Sequence, residues 1–275
     1  MMIKKIENLF TLKDKVVVVT GATGVLGEAF LQGLTSAEAT IVVIGRNEEV
    51  AKLRTREVND AGGKAIYIIA DVLDEAALEA AKNKTLETFG RVDALVNAAG
   101  GNVAEAVIQP GSDIFDLNVS ALKQVFDLNL FGTIIPTQIF GKEIAKNGGS
   151  IVNISSVSAT QAITRVLGYS MAKSAVDSYT KWMSVELANR YQDKLRINGI
   201  VPGFFITNQN RALLTNADGS LTARGEAIIV KTPFKRFGAP EELIGALVYL
   251  LSDASKFVNG ENITVDGGFC AFSGV

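Results

Sequence analysis

The sequence predicts an α/β fold, a doubly wound parallel sheet covered on both faces by helices. Three observations carry that prediction. Four strand-like runs, at residues 15–20, 41–45, 64–70 and 92–97, alternate with helical patterns, the rhythm of strand–helix–strand units joined by right-handed crossovers. The first run, Lys15-Val-Val-Val-Val-Thr20, is apolar without alternation, as a parallel strand buried on both faces must be. It passes through Thr20-Gly-Ala-Thr-Gly-Val-Leu-Gly27 straight into a helix. Such a glycine-rich turn lets backbone N–H groups and a helix N-terminus approach a phosphate, and it equally lets a helix pack closely on a sheet.

The elements follow in order. The first helix runs to about residue 36. The second strand ends in Gly45-Arg46, and a polar helix covers residues 47–60. An acidic residue at this strand end would hold the ribose 2′-hydroxyl of NAD. Glycine stands there instead, and the Arg46 guanidinium can pair with a 2′-phosphate, which favours NADP. The third strand leads into Asp71-Val72, where Asp71 either accepts from an adenine amino group or caps the helix opening at Asp74. The fourth strand ends in Asn97-Ala-Ala-Gly100, small residues that suit either a cofactor or a permissive loop.

Residues 119–146 carry helical segments. Asn129 lies inside that pattern, mildly unfavourable there unless it holds a water or a main-chain carbonyl next to Lys173. Pro136 predicts a kink or a tightly packed first turn. The fifth strand, residues 150–155, delivers Ser156 to the carboxyl edge of the sheet, where ligands bind in such folds. A helix over residues 168–190 follows, then a sixth strand at 195–201 ending in Pro202-Gly203. Residues 208–238 break the rhythm, and an insert of that length at this edge is expected to be a lid. A helix at 240–252 and a seventh strand at 261–266 close a chain that reads as one domain over residues 1–275.

The chemistry centres on Tyr169 and Lys173. Four residues is about one helical turn, so both side chains leave the same face. A free phenol titrates near pH 10, and a neighbouring ammonium favours its phenolate, giving an acid/base suited to carbonyl reduction or alcohol oxidation. Ser156 can hydrogen-bond the same substrate oxygen. The composition agrees: the 275 residues include no histidine, which removes Ser-His-Asp catalysis and the commonest zinc ligand, so no metal site is expected. A net charge of −2 without basic tracts gives no sign of nucleic acid. One cysteine, Cys270, points to a reducing compartment. No signal-peptide pattern and no apolar run of ~18 residues is found, so a cytoplasmic protein without a membrane partner is expected.

With these residues in hand, the chain resembles the short-chain dehydrogenase/reductase family over nearly its whole length. The matching motifs are Thr20-Gly-x5-Gly27, Asp71-Val72, Asn97-Ala-Ala-Gly100, Asn129, Ser156, Tyr169-x3-Lys173, Pro202-Gly203 and Asp266-Gly-Gly268. The resemblance implies a single-domain Rossmann fold with a seven-stranded parallel sheet in the order 3-2-1-4-5-6-7. It implies that Tyr169 is the acid/base, that Lys173 lowers its pKa and holds the nicotinamide ribose, that Ser156 polarises the carbonyl and that Asn129 anchors a water-linked proton relay. The NADP or NAD contacts it implies are Gly21, Thr23, Gly24, Val25, Leu26 and Gly27 at the first turn, and Arg46, Asn47, Asp71 and Val72 towards the adenosine. Towards the nicotinamide they are Asn97, Ala98, Ala99, Gly100, Tyr169, Lys173, Pro202, Gly203, Phe205, Ile206 and Thr207. Relatives are commonly homotetramers built through two long central helices and the C-terminal strand. Two departures stand out: Val25 occupies the place of the middle glycine of the turn, and Glu38 that of a glycine before the second strand, so the turn is expected to be reshaped and that helix end to close differently.

Within the family the chain is most similar to the D-mannonate oxidoreductase (fructuronate reductase) branch, on Ala99-Gly-Gly-Asn102, Thr164-Arg-Val-Leu-Gly168, Gly203-Phe-Phe-Ile-Thr-Asn-Gln-Asn-Arg211 and Phe269-Cys-Ala-Phe-Ser-Gly-Val275. A sugar acid carries one carboxylate and several hydroxyls. Arg165 and Arg211 suit the first, Asn102, Ser158, Gln209 and Asn210 the second. Two alternatives stay open at this point: another carbonyl substrate, such as a ketogluconate, a 3-oxoacyl thioester, a steroid or a cyclic alcohol, or a dinucleotide-sensing regulator without catalysis.

Overall fold

The computed structural model describes residues 5–207 and 210–274. After a short α1 (Glu7–Phe10), the chain alternates β1 (Val16–Thr20), α2 (Val25–Ser36), β2 (Thr40–Gly45), α3 (Glu48–Asp60), β3 (Lys64–Ile69), α4 (Glu75–Phe89) and β4 (Ala94–Asn97). The second half runs α5 (Val119–Phe126), α6 (Gly132–Asn147), β5 (Gly149–Ile154), α7 (Leu167–Tyr191) and β6 (Leu195–Pro202). It then carries the short α8 (Arg211–Leu214), α9 (Ala223–Lys231), α10 (Ile244–Leu251) and finally β7 (Asn262–Val265). The seven strands form one parallel sheet in the order β3-β2-β1-β4-β5-β6-β7, as the family resemblance implies. Chain direction across the sheet reverses between β1 and β4, and the carboxyl ends of those two strands flank the crevice where such sheets bind ligands.

The uninterrupted apolar β1 is explained by its two faces. Val17 and Val19 enter a core with Phe30 and Leu34 of α2 and Leu247 and Leu250 of α10, whereas Val16 and Val18 pack with Leu78, Phe140, Ile144 and Leu187 on the other face. Each fully buried side chain of this kind contributes about 1.5–3 kcal/mol. On the first face α2 and α10 approach so closely that a Cβ on Gly33 would stand 2.4 Å from Ile244 Cγ2.

Two local features differ from the sequence reading. The end of α2 closes as a glycine would close it: Glu38 itself adopts φ 67°, and its N–H reaches the Thr35 carbonyl at 3.0 Å. The expectation of a different closure is therefore corrected; the chain accepts a left-handed non-glycine residue instead. The long helical stretch after residue 119 is not continuous α-helix either. A π-helical turn, Asp127–Phe131, separates α5 from α6 and contains Asn129. Pro136 lies five residues into α6, just beyond that turn.

Candidate active site

The phosphate end is built by the turn after β1. Gly21 takes φ +67°, and a Cβ there would stand 2.5 Å from the Ala99 nitrogen; one on Gly27 would stand 2.5 Å from the Gly21 carbonyl oxygen. Those two glycines are thus required by close packing. Gly24 is exposed and is the N-cap of α2 without a side-chain cap, and the next three amides, of Val25, Leu26 and Gly27, have no acceptor among the described residues. Unpaired N–H groups at the positive end of a 12-residue helix suit a pyrophosphate. Val25 is the first residue of α2, a position that tolerates a side chain, and the turn keeps both packing glycines.

At the adenosine end, glycine is needed at residue 45 because a Cβ would stand 2.6 Å from Thr23 Cγ2. Arg46 is exposed, with Nη1 3.5 Å from Asp71 Oδ2. That loose ion pair contributes little and is readily exchanged for a phosphate. Asp71 also accepts from the Leu73 N–H at 3.0 Å, and the cap of α4 is Asp74, which accepts from Ala77 at 3.0 Å. Asn47 caps α3 by accepting from Val50 at 3.1 Å. Val72 is buried against Gly132, where a Cβ would meet it at 2.8 Å.

The reacting groups stand at the carboxyl ends of β4 and β5. Ser156 Oγ accepts from the Ser158 N–H at 3.2 Å and the Ser158 hydroxyl at 3.0 Å. With its lone pairs engaged, its own O–H is left to donate, to the Tyr169 oxygen or to a substrate. Tyr169 packs against the small buried cluster of Ala106, Ala121 and Val125. Burial raises its pKa above the ordinary 10.0, and a hydrogen bond with Ser156 opposes that rise. Lys173 is buried, donates to the Ile154 carbonyl at 2.8 Å and sits 5.6 Å from the centre of the Tyr169 ring. Burial lowers its pKa to about 8, with Asp177 pulling the other way. Among the described residues no hydrogen bond joins the ammonium to the phenol. Burial is the larger influence on the phenol and Ser156 opposes it, while the Lys173 ammonium stands near the ring without a direct bond to the phenol oxygen.

Asn129 explains the π-turn. Its Nδ2 donates to the Gly101 carbonyl at 2.7 Å and to Val125 O at 2.8 Å, while Oδ1 accepts from the Gly101 N–H at 3.0 Å. A Cβ on Gly100 would stand 2.7 Å from Asn129 Oδ1 and 3.2 Å from Lys173 Nζ. The side chain therefore clasps the main chain of Gly101, and Gly100 beside it is hemmed in by both Asn129 and Lys173. Below this layer Asn97 is 1% exposed; it donates to Thr137 Oγ1 at 2.8 Å and Asn153 Oδ1 at 2.9 Å, and Asn153 donates to Thr180 Oγ1 at 2.9 Å. The Asn97 side chain thus stitches β4 to α6 and β5 instead of facing the crevice, which leaves Ala98, Ala99 and Gly100 to line it. An asparagine inside the apolar run Ile151-Val-Asn153-Ile is the signal that reveals this buried string.

On the far side, a Cβ on Gly203 would stand 2.7 Å from Asp266 Cα, which explains the glycine after Pro202. Phe205 is 5% exposed and belongs to the core, so its side chain is removed from the cofactor contacts expected. Asn210 folds back on this loop, accepting from the Thr207 N–H and donating to Phe205 O, each at 2.8 Å; these bonds occupy the groups expected to read a substrate hydroxyl. Ile206 and Thr207 remain partly exposed at the edge, and Gln209 lies outside the described residues. Asn102 and Arg211 are exposed. Ser158 is spent on Ser156. Arg165, with φ 76°, donates to Ile108 O at 3.0 Å and Gln109 Oε1 at 2.7 Å, pinning the loop after β4 to the segment before α7. The sequence reading passes over Arg224 of α9, which donates to Thr164 Oγ1 and Thr164 O at 3.0 Å each. Nothing in its local sequence sets it apart; only the fold of the segment carrying α9 brings its charge near Arg165.

With this geometry in place, comparison with known proteins is informative. A family model described as enoyl-(acyl carrier protein) reductase matches residues 21–270. UxuB of Bacillus subtilis (strain 168), an uncharacterized oxidoreductase, is 41% identical over 274 residues, with 96% of this chain and 98% of that protein covered. The crystal structure of a Haemophilus influenza protein provisionally assigned as a D-mannonate oxidoreductase, with bound NAD, superposes with a TM-score of 0.90 at 38% identity, covering 98% of this chain and 100% of the other. A gluconate 5-dehydrogenase from Burkholderia cenocepacia J2315, in complex with NADP and tartrate, gives a TM-score of 0.85 at 33% identity, covering 97% and 99%.

Proposed function

Because this chain belongs to the short-chain dehydrogenase/reductase family, and so is an oxidoreductase acting on alcohol and ketone groups with NAD(P), we propose that it interconverts a sugar-acid ketone and its alcohol, D-fructuronate and D-mannonate. The observation that carries the chemistry is the Ser156–Tyr169–Lys173 group at the sheet edge next to the β1/β4 switch point. When bound, the reduced nicotinamide supplies the hydride that reaches the carbonyl carbon, and in reverse its oxidised form takes the hydride back.

The chain's own residues handle the proton. Ser156 donates its O–H to the substrate oxygen and fixes its position. Tyr169, protonated at neutral pH as any phenol is and kept so by burial, gives its proton to that oxygen as the hydride arrives, completing the alcohol. The Lys173 ammonium near the ring stabilises the phenolate left behind. A phenol held protonated favours reduction at neutral pH and oxidation at alkaline pH. The reading of the cofactor is NADP, on Gly45 and Arg46, although the neighbours carry NAD in one case and NADP in the other.

The substrate assignment is supported by the sugar-acid enzymes among the neighbours and by the polar surroundings of Ser156. It is tested by mixing the protein with D-fructuronate, D-tagaturonate or 5-ketogluconate and NADH or NADPH, and following nicotinamide absorbance. Turnover is expected with D-fructuronate; silence with every acid would remove this substrate class.

A further inference from the structure

Arg165 and Arg224 reach one spot from different segments, the stretch before α7 and the first turn of the lid helix α9. Arg224 holds Thr164, the residue next to Arg165, by both the hydroxyl and the carbonyl. Arg224 is partly buried, and its pKa lies below the ordinary arginine value, through burial first and the positive charge of Arg165 second. Each guanidinium offers five N–H donors. Arg165 spends two of them, on Ile108 and Gln109, and Arg224 spends two on Thr164. Neither has a carboxylate within salt-bridge distance among the described residues. Two like charges held together, each with donors to spare and no counter-ion, make an arrangement that costs stability unless an anion joins it.

We propose that Arg224 and Arg165 together receive the substrate's carboxylate, which relieves the repulsion between them. The assignment rests on the sugar-acid reading above and refines it. The lid residue that recognises the acid is Arg224, in place of Arg211, whose side chain is exposed. Main-chain and side-chain bonds to Ile108, Gln109 and Thr164 pre-orient both forks, so little rotamer freedom is lost on binding. Four residues separate Arg165 from Tyr169. An acid group gripped there sets the sugar chain in register with the phenol. An uncharged polyol would gain nothing from the pair.

The test is calorimetric and needs no turnover: D-mannonate and, separately, uncharged D-mannitol are titrated into the NADPH-loaded protein and its Arg224→Gln and Arg224→Lys variants. D-mannonate affinity is expected to fall by about one to two orders of magnitude in R224Q, as loss of a charged hydrogen-bonding partner predicts, and less in R224K. D-mannitol binding is expected to stay the same in all three. If the unaltered protein binds D-mannonate and R224Q binds it within about twofold, the assignment of Arg224 is wrong while the sugar-acid reading stands. If both ligands weaken in proportion, Arg224 is only a lid latch on Thr164, and the inference falls. If the unaltered protein binds no sugar acid, the sugar-acid reading falls first.

Discussion

At the scale of single residues, the site depends on a buried cation whose charge opposes folding. The Lys173 pKa is depressed in the folded chain, from 10.5 to about 8. Below pH 8 the ammonium is charged in both states, so its burial cost is fully present. Between pH 8 and 10.5 the folded form loses its proton first and the cost fades. At 1.36 kcal/mol per unit this amounts to roughly 3 kcal/mol, partly offset by the bond to the Ile154 carbonyl. Lys173→Met is therefore expected to raise the denaturant midpoint at pH 7, by about 1–2 kcal/mol in stability, while abolishing turnover; a less stable variant at that pH would contradict the cost assigned to burial. The advantage should shrink above pH 10. Arg46 makes a second case. Its loose pairing with Asp71 predicts that Arg46→Ala raises KM for NADPH by about tenfold or more and leaves NADH nearly unchanged, since only the 2′-phosphate would lose a partner.

At the scale of elements, most of the site was legible in the sequence wherever spacing alone determines geometry. Tyr169 and Lys173 share a helix face because four residues make a turn, and Ser156 reaches the edge because an apolar strand ends there. Less legible were features set by contacts between distant segments. The π-turn at 127–131 gives no sequence signal beyond an asparagine in a helical pattern, because its cause is the clasp between Asn129 and Gly101. The pKa of Tyr169 depends on how deeply it is buried against the cluster of Ala106, Ala121 and Val125, which periodicity cannot show. Asn129→Ala should leave the Gly101 carbonyl and N–H short of partners and cost about 2–3 kcal/mol in chemical denaturation, with catalysis impaired as well. The end of α2 offers the opposite prediction. Glu38→Gly removes a left-handed non-glycine residue and is expected to stabilise by about 1 kcal/mol, read as a higher urea midpoint with an unchanged slope.

At the scale of the whole molecule, alternation of strand and helix fixes the sheet, and the sheet's reversal between β1 and β4 fixes where the ligand crevice opens. Among the described residues, no helix is long and apolar enough to cross a membrane. Several large apolar side chains nevertheless face outward. Trp182 and Val185 on α7 are 62% and 58% exposed, and Phe257, ahead of the edge strand β7, is fully so. Such faces mark association surfaces, and we propose that α7 and the β7 edge join copies of the chain into a homotetramer. Size-exclusion with light scattering should give four times the mass of 29.2 kDa, and Trp182→Arg should reduce it; a monomer would refute the assembly. Turnover as a whole depends on one proton donor at the sheet edge. Its most direct test is Tyr169→Phe, with turnover of D-fructuronate and NADPH affinity by fluorescence measured side by side. The prediction is a fall in kcat of at least about a hundredfold with cofactor affinity within a few-fold of the original; a variant that still turns over at near its original rate would show that the proton comes from elsewhere.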